Sequence, residues 1–402
     1  MNSFQALRLI YEIYFKKGLP NLRYIESLGL LAVKIGQIHA LRLDFLSEQK
    51  CQKLSELYRH NLPVAYDDVE ILFEEFGGKG FVDNFKEIEK KPIATASVGQ
   101  VHLATLKNGD RVIIKVIKKK VKDKFEKDVR KLRKFFKLAL KLSPKLKGVG
   151  NPIGILDDIE RYTLAELDLQ NEIKGTIELE NQYRKYKRSF DLSLLRFHKQ
   201  YIDLSNKNLM VSEYIPAPSV DELLSEGKFK YKDLLNLFYI QGFYIFVAGR
   251  FHGDLHPGNV LFDGQKFYFV DTAFVGEVGD RIRKGLFFFF EALSRYDYPE
   301  CAKYLNEMAE KRIEGKEFEE FKKKFMKIYS DYTNTTVSEK SLTKQMMLTI
   351  KLGVNSGMEF EKGIFAVIRS LMYMDGMVLK ANPNAKLVED MRQFINAYKN
   401  SI

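Results

Sequence analysis

Cysteine is nearly absent from this chain: Cys51 and Cys301 are the two among 402 residues. They lie far apart and form no metal-ligand spacing, which argues against a disulfide framework and suits a reducing compartment. No charged-then-apolar leader with a small-residue cleavage site opens the sequence, so export is not predicted. Long apolar runs are lacking too. Leu234 to Gly249 falls about a turn short of the roughly 20 residues a spanning helix needs, and Asn236 and Gln241 interrupt it. It reads as a buried helix. Phe287 to Phe290 is hemmed in by Arg281, Arg283, Lys284 and Glu291, so no transmembrane segment is predicted. Internal repeats and low-complexity linkers are missing as well. Because 402 residues are more than one core normally supports, two or three packed lobes are expected.

Positive charge is in excess, with a formal net charge of +12 and a pI near 9.2. Much of it is concentrated between Lys118 and Lys147, where fourteen Lys or Arg face only Asp123, Glu126 and Asp128. Phe125, Val129, Leu132, Phe136 and Leu140 recur there at helical spacing, which predicts a basic amphipathic helix. Such a helix either packs its apolar stripe on its own lobe behind a solvated face or offers the face to anionic lipid. No nucleic-acid module accompanies the charge, so nucleic acid is not an expected partner.

The chemistry is concentrated in Phe251 to Asn259, F-H-G-D-L-H-P-G-N. Short strands over Val260–Phe262 and Gln265–Val270 follow, joined by Asp263-Gly264, a strong hairpin signal. The hairpin returns Asp271 to the side of Asp254 and Asn259. One aspartate, an asparagine five residues on and a second aspartate past a hairpin can position a hydroxyl and hold Mg²⁺ for phosphoryl transfer. His252 and His256 have a zinc-like spacing, but neighbouring proline and glycine exclude a helix and no third ligand is near. His252 therefore reads as a structural hydrogen-bonding residue.

Earlier in the chain, residues 1 to about 62 read as helical, with Leu28, Leu31, Ile35, Ile38, Leu41 and Phe45 in register. Leu54 and Leu57 continue a second helix to Asn61-Leu62-Pro63. Asp67 to Phe76 is a further helix, ended by Gly77-Gly78 and a short polar run. Small residues over Ala94 to Ser97, then Gly99-Gln100, predict a tight strand–turn–strand. Asn108-Gly109 turns the chain into a β-branched strand, Arg111 to Ile117, that carries Lys115. A lysine in an aliphatic strand must find an anion or leave the sheet. Its candidate partner is Glu172, on a helix from near Leu164 to Tyr186. Glu166, Asp168 and Glu172 could together form a solvated acidic face, but partnership with Lys115 is the favoured reading for Glu172. Leu209 to Ile215, with Glu213 near its end, reads as a buried strand whose backbone can meet a purine ring. From Val220 onward helices are expected apart from the one hairpin, including Leu286–Leu293, Tyr304–Ala309, Phe318–Tyr329, Gln345–Leu352 and Phe365–Leu379.

With these motifs in order, the chain resembles the UbiB (AarF) family of atypical protein-kinase-like proteins from about Leu22 to Phe394. Lys34-Ile35-Gly36-Gln37 is similar to the family's KxGQ signature. Ala94 to His102 resembles its alanine-rich loop, Glu166 and Asp168 its ExD motif, and His252 to Asn259 its catalytic loop. Thr95 departs from the usual alanine, and Thr272-Ala273 follows Asp271 where Phe-Gly or a close variant is usual. The C-terminal membrane helices of some relatives are not found here.

The resemblance implies an α+β, two-lobed kinase-like fold: a helical extension over 1–91, an N-lobe with inserted helices over 92–215 and a helical C-lobe over 216–402. It implies ATP and Mg²⁺ as cofactors and Asp254 as the catalytic residue. Lys115 and Glu172 fall at the phosphate-binding pair, and Asn259 and Asp271 at the metal ligands. Ala94, Ala96, Ser97, Gly99, Gln100, Glu213, Lys34, Gln37, Glu166 and Asp168 fall around the nucleotide. An extension covering the site favours ATP hydrolysis, or transfer to a small or lipid-like molecule, in quinone or isoprenoid-lipid metabolism. Quinone-biosynthesis proteins and an anionic membrane surface are the implied partners, and the implied location is cytoplasmic, peripheral at the inner face of a membrane. A nucleotide-binding pseudokinase and a conventional protein kinase are the competing expectations.

Overall fold

A computed structural model describes residues 1–40, 46–58, 63–142, 152–361 and 363–402. Leu41, Phe45, Asn61, Leu62, Lys145 and Lys147, all drawn into the sequence reading above, lie outside the described residues. The chain divides into two compact units, Met1–Lys174 with His198–Tyr214, and Gly175–Phe197 with Ile215–Ile402.

The first unit opens with helices α1 (Ser3–Ile10), α2 (Leu22–Leu28), α3 (Leu30–His39) and α4 (Glu48–Ser55). The single apolar register from Leu28 onward is broken at Gly29, whose φ of 98° ends α2 before α3 begins. That left-handed backbone is costly for any residue with a Cβ. Helix α5 (Tyr66–Gly77) follows, and the polar run after it holds a strand, β1 (Phe85–Ile88), that the sequence reading lacked. Strands β2 (Ala94–Thr95), β3 (Gly99–Leu106) and β4 (Arg111–Ile117) build the antiparallel core of the sheet. Gly109, with φ of 94°, turns β3 into β4.

The basic segment forms α6 (Val121–Leu142). Phe125, Val129 and Leu132 are buried in one core with Leu156 and Ile159 of α7 (Pro152–Glu166). The apolar stripe therefore packs on its own unit, while Lys122, Lys124, Lys127, Arg130, Lys131, Lys134 and Lys137 stay exposed. The one helix expected from Leu164 to Tyr186 is two, because α8 (Leu169–Tyr186) begins after a break at Leu167-Asp168. The Leu169 amide donates to the Lys207 carbonyl at 2.9 Å instead of continuing the helical ladder. The Asn171 side chain caps the Ala165 carbonyl at 3.1 Å. The chain passes through α8 and a short strand, β5 (Leu195–Arg196), then returns with β6 (Leu209–Glu213) beside β4. The resulting sheet has the order β1-β3-β4-β6, with β2 also on β3.

The second unit contains α9 (Val220–Ser225) and α10 (Tyr231–Gly242), which runs on as a wider π-turn over Phe243–Ala248. Gly249, at φ 69°, stops it. Phe243 packs there against Tyr186, Phe190 and Tyr244, and Phe246 against Phe287, Phe290 and Tyr398. The apolar run from Leu234 is thus a buried helix, and among the described residues no helix is long and apolar enough to cross a membrane. Strands β7 (Arg250–His252), β8 (Val260–Phe262), β9 (Phe267–Phe269) and β10 (Val275–Glu277) follow. The antiparallel pair β7–β10 is an addition to the single hairpin expected. Gly276 permits it, since a Cβ there would meet the Phe251 ring at 2.5 Å.

Helices α11 (Asp280–Ser294), α12 (Tyr298–Met308), α13 (Gly315–Ile328), α14 (Leu342–Asn355) and α15 (Gly363–Ala381) complete most of the unit. Two short helices, α16 (Leu387–Asp390) and α17 (Arg392–Tyr398), close it. Phe287, Phe289 and Phe290 are buried on α11, which accounts for the phenylalanine run without a membrane.

Candidate functional site

Two clusters carry the motif residues, one in each unit. In the first, Lys115 sits mid-strand on β4 at 8 % exposure, and Glu172 lies in the first turn of α8 at 4 %. Lys115 Nζ donates to Glu172 Oε2 at 2.6 Å. Distance thus selects Glu172 from the three acids. Losing one partner of such a buried pair strands a charge and costs about 3–5 kcal/mol.

Beside this pair, β2 and β3 form the small-residue hairpin. The Ala96 amide donates to Gly99 O at 2.9 Å, and Ala94 pairs with Val101. Gly99 is required by close approach, because a Cβ would meet the Val116 carbonyl at 2.6 Å. Lys118 Nζ donates to Ala96 O at 3.1 Å, and burial lowers its pKa. Ser97 is half-buried at the turn.

Two glutamines of the motifs hold the scaffold. Gln100 is buried, accepts from the Val64 amide at 2.8 Å, donates to Val64 O at 3.2 Å, and meets His102 Nε2 at 2.9 Å. Gln37 donates to Leu57 O at 3.0 Å, tying α3 to the turn after α4. These bonds hold the Gln37 side chain to Leu57 O and the Gln100 side chain to Val64 and His102 within the unit. Gly36 permits the tie, since a Cβ there would meet Leu57 Cδ1 at 2.4 Å. Lys34 Nζ donates to Glu166 Oε2 at 2.5 Å, linking the KxGQ helix to the end of α7. Asp168 Oδ1 accepts from the Gln170 amide at 3.1 Å and so starts α8. At the end of β6, the Glu213 amide donates to Lys199 O at 2.8 Å and its carboxylate accepts from the Lys199 amide at 2.9 Å.

The second cluster is built on β7, the following loop and the β8–β9 hairpin. His252 is fully buried: its Nδ1 accepts from the Asp254 amide at 3.2 Å and its Nε2 donates to Val270 O at 3.0 Å. Those bonds require the neutral ring with its proton on Nε2, and burial lowers its pKa accordingly. Asn259 donates its side-chain amide to Asp254 O at 3.0 Å, which leaves Oδ1 as the atom for a cation. The Val270 amide donates to Asn259 O at 3.0 Å, so the hairpin returns Asp271 one residue beyond Asn259's partner. Asp271 itself has φ of 55°. Aspartate tolerates this left-handed region better than most residues, and strain of this kind is common where a side chain must be aimed.

The segment after Asp271 is held closely. Thr272 Oγ1 and Thr176 Oγ1 are 2.8 Å apart, and a Cβ at Gly175 would meet Thr272 O at 2.0 Å. Gly253 is equally constrained, since a Cβ would meet the Phe274 ring at 2.2 Å. Two residues outside every motif also reach this loop. Tyr373 donates its hydroxyl to Asp254 Oδ1 at 2.9 Å, and Arg369 donates to Gly253 O at 2.6 Å. Both come from α15, and no spacing in the sequence signals either.

Among the described residues no three His, Cys, Asp or Glu side chains gather as a metal cage. Asn259 Oδ1 and the Asp271 carboxylate are instead a sparse oxygen set. That set fits Mg²⁺, which takes one or two carboxylates and completes its octahedron with water and phosphate oxygens.

An antiparallel sheet bearing a buried lysine–glutamate pair, followed by an Asp–Asn–hairpin–Asp unit, defines a protein-kinase-like protein. The sequence model of the ABC1 atypical kinase-like domain matches residues 57–305. The chain belongs to this family, which includes proteins named UbiB. It is 26% identical over 390 residues to a probable protein kinase UbiB of Pseudomonas fluorescens, covering 93% of this chain and 70% of that one. It is 29% identical over 270 residues to the chloroplastic Activity of BC1 Complex Kinase 8 of Arabidopsis thaliana, covering 65% of this chain and 34% of that one. This chain therefore matches about a third of the plant protein's length. Among solved structures, a Mycobacterium tuberculosis protein in complex with erythromycin superposes with a TM-score of 0.52 at 17% identity, covering 96% of this chain and 92% of that one. That likeness speaks to the fold.

Proposed function

We propose that this protein is an ATP- and Mg²⁺-dependent atypical kinase or ATPase that acts on a small or lipid-like substrate in quinone or isoprenoid-lipid handling. The observation that carries the proposal is the buried Lys115–Glu172 ion pair at 2.6 Å. A buried ion pair is a poor stabilising device, so its value lies in presenting a fixed ammonium to an anion. Lys115 would meet the α and β phosphates. Asn259 and Asp271 would hold Mg²⁺, which when bound neutralises phosphate charge. Asp254 would orient the attacking hydroxyl or water and accept its proton late.

The KxGQ helix supports this substrate class. The Lys34–Glu166 bond and the Gln37 tie make α3 part of the same unit as Lys115, which supports a small-molecule role over protein phosphorylation. Family membership and the UbiB-named relatives support the quinone connection. Peripheral contact with an anionic membrane at the cytoplasmic face is supported by the exposed lysines of α6. A row of exposed apolar residues supports it further: Phe4 and Leu7 on α1, then Tyr11 and Phe15 just beyond. Basic charge beside exposed apolar surface is the composition that binds such interfaces.

Nucleotide affinity tests the reading. Lys115→Ala is expected to weaken ATP binding about tenfold or more, the loss of one charge-assisted phosphate contact. Unchanged affinity would remove the phosphate role. In the intact protein, ATP turnover should rise with anionic liposomes or a quinone-precursor phenol; turnover indifferent to both would remove the substrate assignment.

A further inference from the structure

The family model ends at residue 305, yet α15 (Gly363–Ala381) holds the loop that carries Asp254. Arg369 donates from Nε and Nη2 to the Gly253 carbonyl at 3.2 and 2.6 Å. Its guanidinium also stands 5.5 Å from the centre of the Phe274 ring. Gln241 donates from Nε2 to both the His252 carbonyl, at 3.2 Å, and Ser370 Oγ, at 2.8 Å. Tyr373 donates its hydroxyl to Asp254 Oδ1 at 2.9 Å, and its ring meets His256 edge-on with centroids 5.3 Å apart. Arg369 and Tyr373 share one face of the helix, four residues apart. Three successive loop residues are thus fixed by one helix, two of them directly and His252 through Gln241.

These contacts have different consequences. Those of Arg369 and Gln241 end on backbone carbonyls and shape the loop. That of Tyr373 ends on the carboxylate itself. An aspartate side chain has two rotatable bonds, and a proton acceptor is effective only when held in the geometry of transfer. Tyr373 is buried at 7 % exposure and has its ring packed, so its hydroxyl is a fixed point.

We infer that Tyr373 is a positioning residue for phosphoryl transfer, its hydroxyl holding the Asp254 carboxylate in one orientation through Oδ1. This rests on the reading of Asp254 as the residue that orients the attacking group. The donor is supplied by a helix beyond the recognised domain, so a chain cut after residue 305 would retain the motifs and lose this control.

The test is Tyr373→Phe in the full-length protein, which keeps the ring against His256 and removes only the hydroxyl. Its kcat for ATP turnover is expected to fall about tenfold, as for a lost hydrogen bond to a charged group. KM for ATP should stay within about twofold of wild type, since binding is untouched, and the variant should remain folded, with at most a modest fall in Tm from the lost bond. In an Asp254→Asn background the same substitution should cause no further loss. Unchanged kcat, a loss that falls on KM together with Tm, or an equal loss in the Asp254→Asn background would each overturn the inference. Turnover of Asp254→Asn at the wild-type rate would instead remove the reading beneath it. A urea-unfolding cycle of the two single variants and the double variant tests the contact without turnover: coupled effects are expected, and strictly additive ones would count against it.

Discussion

At the scale of single residues, the partners of the buried polar side chains bear most directly on chemistry. Lys115 in an aliphatic strand demanded an anion, and the structure supplies Glu172 at 2.6 Å. Gln37 and Gln100 sit in motifs that suggest ligand contact, and in the structure Gln37 donates to Leu57 O while Gln100 bonds Val64 and His102. Nothing local reveals such long-range commitments. Tyr373 was illegible for a similar reason: it lies 119 residues from Asp254 and reads as core on an apolar helix. His252 yields a prediction in pH. Burial holds its pKa below the ordinary 6.5, and His102 is depressed by the same cause. The unfolded chain therefore binds protons that the folded one refuses, so stability is full above about pH 6.5 and falls as pH drops toward the lower folded values. Urea unfolding of the wild type should show stability decreasing from about pH 7.5 to 5.5, with a shallower decrease in His252→Asn. Equal slopes would contradict the buried neutral ring.

At the scale of elements, turn chemistry and periodicity carried most of the information. Asn108-Gly109 and Asp263-Gly264 gave hairpins, with glycines at φ of 94° and 92°. The break between α7 and α8 was hidden because the diverted Leu169 amide finds its acceptor at Lys207, far along the chain. Strands β1, β7 and β10 have three or four residues each, too few for period-two alternation to stand out. Helix α6 was visible in both halves of its pattern. Phe125, Val129 and Leu132 are buried, and the lysines on the other side are exposed. Binding to anionic liposomes is expected at low salt and should be lost when Lys122, Lys127, Lys131 and Lys134 are reversed to glutamate. Raising the salt should weaken binding in the wild type, because attraction between exposed charges is screened over about 8–10 Å. Co-sedimentation that persists through both changes would place the membrane contact on another surface.

For the molecule as a whole, the kinase-like fold was readable because several motifs occurred in a fixed order, each with its own physical role. The helical bracing of the loop that carries Asp254 was not, because α15 contributes through tertiary contacts and no signature. Fold and family are secured by the sheet, the buried pair and the match over residues 57–305. The proposed ATP chemistry depends on Asp271. Its left-handed backbone, at φ 55°, suits asparagine as well as aspartate, so Asp271→Asn preserves the fold while removing the carboxylate charge. ATP turnover measured against Mg²⁺ concentration should be saturable in the wild type and reduced at least about a hundredfold in Asp271→Asn, as for loss of a principal metal ligand. Equal, Mg²⁺-dependent turnover in the two proteins would contradict the account.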